Sequence, residues 1–345
     1  MGNPQKTQLR FDDWPQTDRQ KWKAAFKSNE FLEEEGAGAH LSPATRAALK
    51  GAYGRFLGFL SRHGAERLDR PPAGRIDHVI VAKYVEQMWE SCLASTIANE
   101  LHHVRLALSA ICPGADLGWL QIITKRIAAQ AKRRPERHHL ITSERLYALG
   151  QELMDRAVAE VDGASVAKAT AFDYRDGLII ALLATIPLRR RTLASLRIGK
   201  HLVKSGSLWA LEITAADTKS RRQLDYSIAP ELSARIDVYL AKFRAHVPGA
   251  GMHDALWVSN KGAAMTAGAI YDAVRRRTQE AFGFAVNLHR FRHAAATFWS
   301  MQDPKNVRGM KDLLGQASFR TTEKHYIIAQ SRMAGRVLAR IVDGN

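Results

Sequence analysis

The chain has 345 residues, 46% hydrophobic and 25% charged, with 51 Lys plus Arg against 34 Asp plus Glu and a formal charge of +17. That length and balance describe a folded globular protein of one large or two ordinary domains, and exclude a mini-scaffold, a disordered chain and a fibrous repeat. The basic excess points to a polyanionic partner, because phosphate neutralisation supplies most nonspecific nucleic-acid affinity; a merely solvated basic surface is the plain alternative.

Residues 1–39 carry a net charge of −1 and residues 40–345 carry +18. The first segment offers one helix near 16–35, closed by Glu33, Glu34 and Glu35 and then Gly36-Ala37-Gly38, and reads as an N-terminal appendage. Its start shows no basic region followed by an apolar one, and Cys92 and Cys112 are too few for a disulfide framework or a zinc motif, so a reducing, cytoplasmic and nucleoid-associated setting is expected. Ser42 caps a helix with Pro43 at its first position; Leu49, Tyr53, Phe56, Leu57 and Leu60 share one face, and Gly64 ends it. Further helices are predicted over 79–91, 96–111 and 117–132, making 40–131 a helical, DNA-binding bundle. A linker over 132–139 follows, and the stretch 125–137 holds six Lys or Arg and one Glu. Lys125, Arg126, Lys132, Arg133 and Arg134 are candidate backbone contacts, with a solvated linker as the alternative.

Residues 140–345 form the second domain. Helices are predicted over 143–161 and 165–186; the apolar stretch 177–188 is too short to span a membrane and runs into Arg189, Arg190 and Arg191. Two β-rich runs, 208–213 and 224–228, flank a basic segment and predict a hairpin with a charged turn holding Lys219, Arg221 and Arg222. Helices then return near 230–246, 266–282, 288–301, 307–314 and 331–342. The fold class is mainly α with a small antiparallel β hairpin or sheet.

Three ordered boxes carry the chemistry. The first is Pro187-Leu188-Arg189 with Leu193 and Leu196 four and seven residues on; the second is His289-Arg290-Phe291-Arg292-His293; the third is Leu313-Leu314-Gly315-Gln316, then Ser318, Thr321, Thr322 and Tyr326. With the lysine of the hairpin turn between the first and second, this order resembles the tyrosine recombinase (phage integrase) family. The resemblance is close over 140–345 and mainly architectural over the bundle before it, which is similar to the family's core-binding domain. It implies a site-specific recombinase that cuts and rejoins DNA through a 3′-phosphotyrosyl intermediate without a cofactor, in a tetrameric synapse on double-stranded DNA. Use by a mobile element and help from DNA-bending or directionality proteins are also expected.

The residue types suit that reaction. Attack on a phosphodiester builds negative charge on the nonbridging oxygens, and two planar guanidiniums, Arg189 and Arg292, hold it bidentately. His289, three residues before Arg292, projects from nearly the same helix face and can take or share the proton of the nucleophile. Lys219 is the candidate general acid for the leaving 5′ oxygen, the alternative being a lysine that touches only phosphate. Tyr326 is the nucleophile that the resemblance implies, since a phosphotyrosyl bond conserves the energy needed for resealing.

Three positions depart from the family pattern. Gln316 stands where histidine or tryptophan is usual, and its amide donates a hydrogen bond but carries no proton. Thr192 stands where an acidic residue usually supports the first arginine. Tyr326 follows Gln316 by ten residues rather than nine, as though His325 were inserted. Two further readings therefore stay open: a noncatalytic DNA-binding protein of the same fold, and relaxation of the type IB topoisomerase kind. The pairs His102-His103 and His138-His139 lack the spacing of helical metal ligation, so no metal is expected. Met333, Val337, Leu338 and Ile341 form an apolar stripe suited to a neighbouring subunit or to packing within the chain.

Overall fold

The computed structural model describes residues 8–27, 35–131, 141–161, 166–218 and 221–302. The chain divides into two compact units, Met1–His138 and His139–Asn345. The first holds α1 (Gln16–Ala25), α2 (Pro43–His63), α3 (His78–Trp89), α4 (Ala94–Ile111) and α5 (Gly118–Ala129). The Ser42 hydroxyl accepts from the amide of Thr45 to start α2, and Asp77 caps α3 through the amide of Ile80. Leu49, Tyr53, Phe56, Leu57 and Leu60 all lie inside, so α2 forms the centre of this unit.

The described part of the segment expected to be an appendage packs into that core. Trp14, Trp22 and Ala25 are buried with α2 to α5, and Trp14 meets the rings of Trp22 and Tyr53 edge to face at 5.3 and 5.2 Å. Asp18 on α1 accepts from Tyr53 Oη at 2.6 Å and pairs with Arg75 at 2.5 Å, all three side chains buried. The acidic sequence hid this, because the residues that pack are two widely spaced tryptophans and a carboxylate whose partner lies 57 positions away.

In the second unit, α6 (Ser143–Ala159) packs on α7 (Lys168–Thr185). A Cβ on Gly150 would stand 2.7 Å from the carbonyl of Gly177, and one on Gly177 would stand 2.7 Å from that of Gly150, so this crossing requires glycine on both helices. A short α8 (Arg190–Ala194) leads to β1 (Leu202–Ser205), β2 (Leu208–Ile213) and β3 (Leu224–Ser227), an antiparallel sheet in the order β1-β2-β3. The register pairs Leu202 with Leu211 and Leu211 with Tyr226.

The sheet thus has one strand more than the expected hairpin. Gly206, at φ +61°, and Ser207 make the two-residue turn that joins β1 to β2. The helix expected over 230–246 is also subdivided into α9 (Pro230–Val238), a π turn over Tyr239–Phe243 and a 3₁₀ turn over Arg244–His246. The wider turn goes with core packing: Phe243 stacks on Tyr174 at 4.0 Å, and Tyr239 Oη donates to the carbonyl of Leu256. α10 (Ala267–Phe282) is capped by Thr266 and ended by Gly283 at φ +76°, and α11 (Leu288–Gln302) follows. The helices expected over 307–314 and 331–342 lie outside the described residues.

Candidate active site

Pro187 sets the position of Arg189. A residue before proline is driven out of the helical region, and Ile186, at φ −122° and ψ 89°, ends α7. Arg189 then sits in extended backbone as the residue before α8. Leu193 and Leu196 are buried, and the carbonyl of Leu193 accepts from Trp257 Nε1 at 3.0 Å. The leucines four and seven residues beyond the arginine therefore anchor the helix that presents it.

The second arginine arrives from α11. Leu288 and Phe291 fix that helix in the core, while His289 stays exposed and Arg292 is 8% exposed. Arg292 Nη1 donates to the carbonyl of Pro187 at 2.5 Å, which brings it to the turn that carries Arg189. Burial and the positive charge of Arg189 push the Arg292 guanidinium down from 12.5 to about 10, partly opposed by Tyr226 on β3. Arg189, Arg292 and Tyr226 thus converge from α8, α11 and the sheet. Two guanidiniums near one another in a partly dehydrated place are chemically suited to an anion, whose charge would relieve their repulsion. His289 lies one helical turn from Arg292, and its ring meets that of His293 edge to face at 4.5 Å.

Lys219 and Ser220 lie outside the described residues, but both flanks of that segment are defined. Thr218 is buried, and its hydroxyl donates to the carbonyl of Arg222 at 2.8 Å and accepts from the Arg222 amide at 3.0 Å. Arg221 adopts a left-handed φ of 50°, and Arg221 and Arg222 are exposed. Just before this clasp, Asp217 Oδ2 receives Lys200 Nζ at 3.0 Å, His201 Nε2 at 3.1 Å and Thr214 Oγ1 at 3.0 Å. Those bonds, that from His201 first, hold its carboxyl down at about 2. Sequence reasoning passed over His201 and Asp217: His201 opens onto a strand that the β-pattern did not reveal, and Asp217 reads as an ordinary charge in a polar turn.

The other candidate residues are distributed as follows. The Arg190 and Arg275 guanidiniums lie 5.4 and 5.3 Å from the Tyr271 ring centroid, and Tyr271 Oη donates to Asn287 Oδ1 at 2.9 Å, next to the start of α11. Arg191 is exposed on α8, and Thr192 is buried there. Lys125 and Arg126 are exposed on α5. Lys132, Arg133, Arg134, Gln316 and Tyr326 lie outside the described residues. Among the described residues, no three His, Cys, Asp or Glu side chains gather as a metal site, and no helix is long and apolar enough to cross a membrane.

Residues 151–332 match the model of the phage integrase family. No curated protein sequence matches the chain at a significant level. Among solved structures, the chain is similar to a XerH site-specific recombinase bound to a palindromic difH substrate in a post-cleavage complex, at 17% identity and a TM-score of 0.56, over 95% of each chain. It is also similar to a XerA recombinase at 18% identity and a TM-score of 0.42, over 87% of this chain and 94% of that one. The likeness to XerH extends to the overall fold.

Proposed function

The chain belongs to the phage integrase family of site-specific recombinases, and from that premise we propose that it cuts and rejoins double-stranded DNA through a tyrosyl intermediate assembled around the Arg189 and Arg292 pair. The observation that carries this reading is the placement of Arg292 against the turn of Arg189, where the two like charges meet. The pair receives the nonbridging oxygens of the scissile phosphate and stabilises the charge that develops on them. The Tyr326 phenolic oxygen attacks phosphorus as His289 accepts its proton. The bond from phosphorus to the 5′ oxygen breaks, and Lys219 gives that oxygen a proton, leaving a 3′-phosphotyrosyl bond and a free 5′ hydroxyl. The 5′ hydroxyl of the partner strand then reverses the steps. The Gln316 amide adds a donor to the phosphate.

The helical unit grips the duplex through Lys125, Arg126, Lys132, Arg133 and Arg134, and Arg190, Arg191, Arg221 and Arg222 hold the backbone beside the cleaved bond. Integration and excision of a mobile element, by a tetramer on DNA with DNA-bending or directionality proteins, in the cytoplasm at the nucleoid, is the biological use we assign. One second reading has its own support: Gln316 and Thr192 replace an imidazole and an acidic residue, as in a protein that keeps the fold for DNA binding alone. A pool of nicked duplexes, which cannot reseal after cleavage, separates the two. Wild type is expected to give a covalent complex whose DNA can be sequenced, and Tyr326→Phe to bind the same DNA without the covalent band. Binding without a covalent band in either protein overturns the catalytic reading.

A further inference from the structure

On the proposed reading Lys219 delivers a proton at one atom, so the polar segment before it needs an anchor. The described residues around it show what holds it. His201 is 2% exposed, and its Nδ1 accepts the amide of Arg197 at 3.1 Å, which leaves the ring proton on Nε2. That Nε2 donates to Asp217 Oδ2 at 3.1 Å. The carbonyl of His201 in turn accepts the amide of Glu212 on β2 at 2.8 Å, so the ring is fixed from the backbone outward. Asp217 also takes Thr214 Oγ1 from the end of β2 and Lys200 Nζ from the turn before β1. Thr218 then closes the loop through both backbone groups of Arg222. A buried imidazole thus anchors the carboxylate of Asp217, the residue next to Thr218. Lys219 follows Asp217 by two residues and Thr218 by one, and an error of about 1 Å in a reacting group costs up to about 100-fold in rate.

We propose that His201 and Asp217 are positioning residues for Lys219, pinning the near end of its turn to the sheet so that the ammonium meets the leaving 5′ oxygen. This rests on the reading of Lys219 as the general acid.

The test compares two duplexes carrying the site recovered from the covalent pool, one natural and one with sulfur in place of the bridging 5′ oxygen at the cleaved bond. A thiol with an ordinary pKa of about 8.5 leaves as the thiolate and needs no proton donor, so a defect confined to proton delivery vanishes on the sulfur substrate. Asp217→Ala is expected to form covalent complex about 10- to 100-fold more slowly on natural DNA and at the wild-type rate on the sulfur substrate, with DNA affinity unchanged. His201→Asn, which keeps a side-chain acceptor for the Arg197 amide but does not reach Asp217, is expected to behave in the same way and guards against a folding defect in either variant. Equal losses on both substrates, or no loss on natural DNA, overturn the proposal. Lys219→Ala serves as the reference. If sulfur fails to rescue it, the general-acid reading itself falls; if sulfur rescues it but not Asp217→Ala and His201→Asn, only the positioning role falls.

Discussion

Two buried arginines, one in each unit, show opposite ways of keeping a charge inside a protein. Arg75 is 1% exposed and faces Asp18, itself fully buried, with Tyr53 Oη donating to the same carboxylate oxygen. Burial and the Asp18 charge push the Tyr53 phenol well above its ordinary value, so it stays a donor. The charges cancel within the fold. Asp176 in the second unit is treated alike, receiving Arg175, Arg276 and Arg277. Arg292, by contrast, is set against a backbone carbonyl and the like charge of Arg189. Asp18 offsets the Arg75 charge inside the fold, whereas Arg189 raises the cost of the charge on Arg292, a cost that an anionic ligand would lower.

This contrast can be broken by exchanging what each arginine is asked to do. The largest effect is expected at Asp18→Ala, which strands Arg75 in the core and should lower the unfolding free energy by about 3–5 kcal/mol in urea titrations. Arg292→Met should act on the reaction instead. It keeps the apolar stem and relieves the repulsion from Arg189 at the cost of the bond to the Pro187 carbonyl, so the free protein should lose far less stability than with Asp18→Ala, while covalent complex formation falls by about 100- to 1,000-fold. Duplex DNA should also raise the melting temperature of wild type more than that of the variant. A variant that melts well below wild type would show that Arg292 stabilises the fold as Arg75 does, and the distinction would collapse.

A smaller effect follows from Asp217. Its folded pKa of about 2 lies below the ordinary value of 3.8, so the carboxylate contributes stability that is present above pH 4 and is lost as pH falls towards 2. Asp217→Asn should therefore lose stability relative to wild type at pH 6 and approach it at pH 2.5. An unchanged gap between the two pH values would mean that the three donors do not favour the charged form.

These regions also differ in how much of them the sequence discloses. Arg189, His289 and Arg292 stood out in the sequence because ordered boxes with fixed spacing carry them, and the leucines after Arg189 keep helical spacing. The partner of Arg75 was not legible, since any acidic residue on any nearby helix serves the same purpose. For that reason α1 looked like an appendage. The sheet was half legible: β2 and β3 carry runs of β-formers, whereas Leu202–Ser205 is too short to show an alternation, and only the Gly206-Ser207 pair signals its turn. The π turn at Tyr239–Phe243 had no local cue, because it goes with contacts to Tyr174 and Leu256 that exist only after folding.

The smallest expected effect lies at Gln316, which the proposed reaction sets at the phosphate with Arg189 and Arg292. An amide offers the phosphate a neutral hydrogen bond, worth about 1 kcal/mol, or about fivefold in rate. An imidazole offers the same bond when neutral and a stronger, charge-assisted one when protonated, with the change near pH 6.5. Gln316→His should therefore leave cleavage unchanged at pH 8 and raise it by up to about fivefold below pH 6.5. The same proton adds a third positive charge to Arg189 and Arg292, so the free protein should melt slightly lower at pH 6 than at pH 8 relative to wild type, and bound DNA should remove that difference. A large loss of cleavage at both pH values would instead show that the site is built around the amide. Gln316 would then be part of its design rather than a departure from it.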